Sequence, residues 1–224
     1  MKKRLVLAIS VILIAIAAAI GVVAFSDRAY VIISLVCVIL ACLPFFIGYE
    51  KRTVDSRRLA MLAAMTTISV IGRFIFAALP HFKPVSAMVI ITGIFLGPES
   101  GFMCGALSAI CSNILFGQGP WTPFQMLSWG MIGLISGLFS KILRKNRAIL
   151  VVFGGFSGIF YSLAMDIWST VGWEDGFSLA RYTASVISAL PVTAIYSASN
   201  MIFLFLLWRP MSKKLDRMVK KGII

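Results

Sequence analysis

Histidine is nearly absent from this chain, with His81 the sole one, and acidic residues number only 8 among 224. A single histidine excludes a histidine-rich metal site. With so few carboxylates, none paired in a workable way, general acid–base chemistry has little to stand on. The four cysteines, Cys37, Cys42, Cys104 and Cys111, lie in apolar runs with no histidines at ligand spacing. They fit neither a zinc site nor a disulfide framework, and read as small buried packing residues. No serine–histidine or cysteine–histidine arrangement and no phosphate-binding glycine loop occurs, so the chain does not hydrolyse ATP through that motif. No enzyme activity, cofactor or metal is expected.

Charge of either sign is also scarce. Charged residues make up 13% of the chain and apolar ones 60%, whereas soluble domains carry about twice that charge fraction. The composition is that of an all-α integral membrane protein. Eight apolar segments can be drawn, at 5–25, 30–48, 59–79, 85–97, 101–116, 124–140, 148–171 and 182–208. The fourth and fifth are short and meet at Gly97-Pro98, so they need shielding by neighbours or a locally thin bilayer.

With the N-terminus inside, all 21 basic residues except Arg28, Arg73, Lys83 and Arg181 fall on cytoplasmic segments. That skew follows the positive-inside rule and accounts for the net charge of +13 without any nucleic acid. Both termini are therefore expected in the cytoplasm. The first segment also resembles a signal peptide, but its apolar core is long and another span follows at once, so a retained helix is expected. The organisation reads as a transmembrane hairpin over 1–49, a polar linker over 50–58, a six-helix core over 59–210 and a basic tail over 211–224.

Small residues recur every fourth position at Gly93, Gly97, Gly101, Gly105 and Ala109, and again at Gly133 and Gly137. That spacing lets membrane helices approach closely. Ala60 and Ala64 form a weaker stripe at the start of the third span.

Ionisable groups inside a span demand a partner or water. Arg73 and Asp166 each lie roughly 9 Å below the outer surface, at about 1.5 Å per residue. They share one layer, either as an ion pair tying helices together or as ligand contacts. Asn113, Gln118, Trp121, Gln125, Trp129 and Trp168 lie in the same outer half, and Lys83 in an outer loop, while the inner half is nearly free of such groups. An outward-facing binding site fits this asymmetry better than a channel. The stretch "GQGPWTPFQMLSWG", residues 117–130, is either an interfacial turn or a wall of that site. A self-contained facilitator should show polar groups in both halves of its spans, and a lipid-directed enzyme a clustered acid/base or metal set. Neither pattern is present.

Residues 72–141 carry a long pattern, from Phe82-Lys83-Pro84 through Ser112-Asn113 to Gly119-Pro120-Trp121-Thr122-Pro123. This pattern resembles the S components of energy-coupling factor (ECF) vitamin transporters, over residues 58–210, and is most similar to the cobalamin-type branch. The resemblance implies a six-helix core with an outward-facing vitamin site. It also implies a transmembrane coupling subunit and two cytoplasmic ATPase subunits as partners. Ala60 and Ala64 match in type and position the alanine stripe by which such subunits pack on the coupling subunit. The hairpin over 1–49 departs from the six-helix pattern.

Overall fold

The computed structural model describes residues 56–171 and 177–221, together with Val36, Ile39, Leu40, Cys42 and Leu43. The remainder of the expected N-terminal hairpin and most of the 50–58 linker lie outside these residues, as do Arg28, Cys37 and Trp173. Among the described residues the chain is all-α. Its helices are α1 Ser56–Ile75, α2 Val85–Leu96, α3 Pro98–Phe116, α4 Thr122–Leu138, α5 Ser140–Lys145, α6 Arg147–Val171, α7 Leu179–Ser188 and α8 Leu190–Lys220. Four of them, α1, α3, α6 and α8, are long and apolar enough to cross a membrane.

At its 12 residues α2 reaches only about 18 Å, well short of a typical hydrocarbon core of about 30 Å. It survives because it is enclosed: every residue except Phe95 is buried, with α1, α3, α4 and α8 packed around it. Its apolar character all round is that of a central helix. Gly97 ends α2 at φ +90°, a conformation a side chain would oppose, and Pro98 starts α3 where its missing N–H costs nothing. Arg58 donates to the Leu96 carbonyl, placing a positive charge at the negative end of α2.

Asn146 opens α6 by accepting from the backbone N–H of Ala148 at 2.8 Å and of Ile149 at 3.4 Å. Beyond it, α6 and α8 pack along their length, with Gly158 against the backbone of Tyr196 and Ser197.

Two expectations need correction. The segment 182–208 is not one helix: Pro191 lacks an amide proton and its ring opposes the carbonyl one turn back, so α7 ends at Ser188 and α8 begins at Leu190. α7 buries none of its residues, and α8 runs on through Pro210 to Lys220. The second correction concerns the cysteines. Cys42 and Cys104 are buried, Cys42 alongside Phe102 and Ala106, but Cys111 is exposed on the outer surface of α3, near the exposed Ile114 and Leu115. A thiol is apolar enough to face hydrocarbon as readily as a protein core.

Arg144 pairs with Asp216 at 2.5 Å and lies 4.6 Å over the Phe95 ring, while Arg147 covers Phe205 at 4.0 Å and donates to its carbonyl. Both members of the ion pair are largely exposed, so it orients α5 against α8 more than it stabilises the fold.

Candidate functional site

In the last turn of α1, two residues before its end at Ile75, Arg73 turns inward and donates to Ser112 Oγ and to Asn113 Oδ1 at 2.8 Å. Its guanidinium lies 4.6 Å over the Phe116 ring and 5.2 Å over Trp129. A charge in apolar surroundings is thus compensated by two oxygen acceptors and two aromatic faces. Arg73 does not pair with Asp166. Of the two expected roles, the interhelical ion pair is not formed.

From Arg73 a hydrogen-bonded line runs across α3 and α4. Asn113 Nδ2 donates to Thr122 Oγ1 at 2.9 Å and to Gln125 Oε1 at 2.7 Å, and Gln125 Nε2 donates to the Tyr161 hydroxyl at 3.2 Å. Asn113, Gln125, Trp129 and Tyr161 are all buried, so this network sits inside the bundle and not on a wet surface. Tyr161 stacks on Trp129 with ring centres 5.1 Å apart and planes 8° from parallel, and meets the edge of Tyr196 at 5.0 Å. Tyr196 in turn shares a 3.0 Å hydrogen bond with His81 Nδ1, on the loop between α1 and α2. Polar groups and ring faces from five helices, α1, α3, α4, α6 and α8, therefore converge in one layer of the bundle.

Lys83 anchors that loop by donating to the carbonyls of Phe76 and Leu79, the latter at 2.8 Å, while its own carbonyl accepts from Ser199 at 3.1 Å. Burial, and then the neighbouring Arg73 charge, hold its ammonium below the usual lysine pKa.

The stretch 117–130 divides between its two readings. Thr122, Gln125 and Trp129 belong to the network, whereas Gln118 braces the turn by donating to the Ile110 carbonyl at 2.8 Å and accepting from Thr122 at 3.0 Å. Trp121, 37% exposed, lies close against Gly119. Trp168 packs on Phe124 at 5.4 Å, and Asp166 accepts from Ser185 Oγ on α7 at 3.2 Å. Ala60 and Ala64 are exposed on α1.

Sequence reading had not selected Tyr161, Tyr196, Phe116 or His81. The signal available was a tyrosine within an apolar span, whose hydroxyl needs a partner when buried. For Tyr161 and Tyr196 the sharper signal is Gly158, which lets α6 and α8 come close enough for the two rings to touch.

Comparison with known proteins gives a family but no structural template. Residues 51–216 match the family described as ECF-type riboflavin transporter, S component. A UPF0397 protein of Aliivibrio salmonicida is 29% identical over 116 residues, covering 51% of this chain and 60% of that protein. A UPF0397 protein of Aliivibrio fischeri is 26% identical over 117 residues, covering 51% and 59%. The matched stretch thus spans under two thirds of these relatives. No solved structure matches. The S-component resemblance read from the Phe82 to Pro123 pattern is upheld, but the matching family is the riboflavin one and lends nothing to the cobalamin branch. With nearly three quarters of its length matched, the chain belongs to the ECF-type riboflavin transporter S-component family.

Proposed function

We propose that this chain is the substrate-capturing membrane subunit of an ECF importer, inert in active transport until joined by a transmembrane coupling subunit and two cytoplasmic ATPases. Family membership over 51–216 carries this reading. The Arg73-centred layer supports it, since it offers ring faces for stacking and donors toward one end of the bundle. Within the layer, Arg73, Asn113, Gln125, Trp129 and Asp166 are the proposed ligand residues, with Gln118, Trp121, Lys83 and Trp168 shaping the walls and the turns that hold them.

Riboflavin is the first ligand to test, because it is a planar heterocycle with acceptors along its edge and is the vitamin in the family's description. Cobalamin is the second, as the finer expectation from sequence. Native mass spectrometry of the purified chain tests the reading: a co-purified vitamin supports capture, and a chain that emerges empty and takes up neither vitamin on addition sinks it.

The exposed alanines of α1 are the proposed seat of the coupling subunit. Ala60→Trp and Ala64→Trp should leave vitamin binding by the isolated subunit intact while abolishing co-purification with the coupling subunit, because a bulky ring separates closely packed helices. Full complexes from both variants would remove this face from the mechanism.

Both termini are proposed to lie in the cytoplasm, on the strength of the basic residues that flank the spans. Cysteine introduced at Gly119 should react with an impermeant thiol reagent added outside, and cysteine at Asn146 should be protected. Labelling of position 146 from outside would invert the arrangement.

A further inference from the structure

Asp166 is 8% exposed, and among the described residues only one of its carboxylate oxygens finds a partner. Oδ1 accepts from Ser185 Oγ at 3.2 Å, while Oδ2 is buried with no partner among the described residues. The hydroxyls nearest it along α6 are committed elsewhere. Thr170, one turn outward, donates to the Asp166 backbone carbonyl at 2.8 Å, and Ser162, one turn inward, shares a 2.6 Å hydrogen bond with Thr193. Tyr182 on α7 donates to the Leu163 carbonyl at 3.3 Å. Arg73 donates through one of its nitrogens to Ser112 and Asn113, and Lys83 donates to backbone carbonyls, so neither satisfies Oδ2.

A buried carboxylate oxygen without a partner is costly, and a fold that tolerates one is keeping an acceptor in reserve. Asp166 stands five residues beyond Tyr161 on α6, about 7.5 Å along the helix, and Tyr161 joins the Arg73 layer through Gln125 and Trp129, so the two charges lie in neighbouring turns of one region without pairing. A ligand overall neutral, with acceptors toward Arg73 and a hydrogen-bond donor toward Asp166, complements that pair of poles. A ligand carrying a phosphate at the donor end would meet a like charge.

We infer that Asp166 is a second recognition point of the site, its Oδ2 accepting a hydrogen bond from an O–H or N–H donor of a ligand that is neutral overall. This inference rests on the capture function proposed above. It adds the polarity of the ligand and the residue that reads it.

Asp166→Asn tests it, because the amide keeps the shape, removes the charge and puts a donor where an acceptor is required. Two measurements on the purified full chain are needed. Ligand-free, the variant should melt higher than the parent, since an uncompensated buried charge has been removed. A variant that melts no higher, or fails to fold, overturns the inference, because the carboxylate is then satisfied within the protein. In riboflavin titration the variant should bind at least about tenfold more weakly. Parental affinity in a folded variant also overturns it. A parent that ignores riboflavin sinks the riboflavin assignment alone, and the ligand-free melt then decides whether Asp166 holds an open acceptor.

Discussion

Gly133→Ala is expected to destabilise the protein by roughly 3 kcal/mol or more, a large share of the 5–15 kcal/mol typical of a folded domain. A methyl at this position would lie 2.2 Å from the Gly101 carbonyl oxygen and 2.3 Å from its carbon, with Val89 Cγ1 at 2.8 Å. Backbone cannot swing aside as a side chain does, so α3 and α4 would have to separate. The damage would spread, because Gly93 on α2 packs against the Gly133 carbonyl as well. Gly155→Ala is the control. Its methyl would meet only the flexible Met201 side chain, at 3.1 and 3.4 Å, and alanine is the better helix former. Thermal melting in detergent should show Gly133→Ala far below the parent and Gly155→Ala within a few degrees of it. Equal melting of the two would mean that the close approach of α2, α3 and α4 does not hold the core together.

The second large effect is expected at Arg73. Arg73→Gln removes the charge lying over Phe116 and Trp129 and the donors beyond those given to Ser112 and Asn113. Losing a buried charged contact to a ligand costs about 2–5 kcal/mol, roughly thirtyfold to several-thousandfold in Kd. The glutamine can still reach one of the two oxygens, so the fold should survive with a modest drop in melting temperature. A structural arginine predicts the reverse: clear loss of stability, with the surviving protein binding vitamin as the parent does.

Much of this architecture is legible in the sequence because membrane spans announce themselves by hydropathy, and close helix contacts by glycine at every fourth position. The central burial of α2 follows from its short, uniformly apolar run between Pro84 and Gly97. The layer holding Arg73, Asn113, Gln125 and Trp129 shows in the sequence as a concentration of ionisable, amide and tryptophan side chains in the half of the spans expected to face outward. What failed has physical causes. Hydropathy averages over Pro191, so one apolar run concealed two helices. Tyr161 and Tyr196 carry no charge at neutral pH and look like ordinary apolar filling until their rings are seen against Trp129. The expected choice between an Arg73–Asp166 pair and ligand contact could not be made from depth alone. Asn113 supplies Arg73 with an oxygen from α3, and Ser185 reaches Asp166 from a helix that hydropathy had merged with its successor. Vitamin specificity was the least legible of all, since one fold serves chemically different ligands through a handful of side chains.

Tryptophan fluorescence titration of the purified, ligand-stripped chain with riboflavin tests the central claim most directly, because Trp129 lies between Arg73 and Tyr161 in the proposed site. Saturable one-to-one quenching at micromolar riboflavin or below, lost in Arg73→Gln and retained in Ala60→Trp, is the predicted result. A chain that shows no saturable response to riboflavin or to cobalamin, while folded and melting cooperatively, would contradict it.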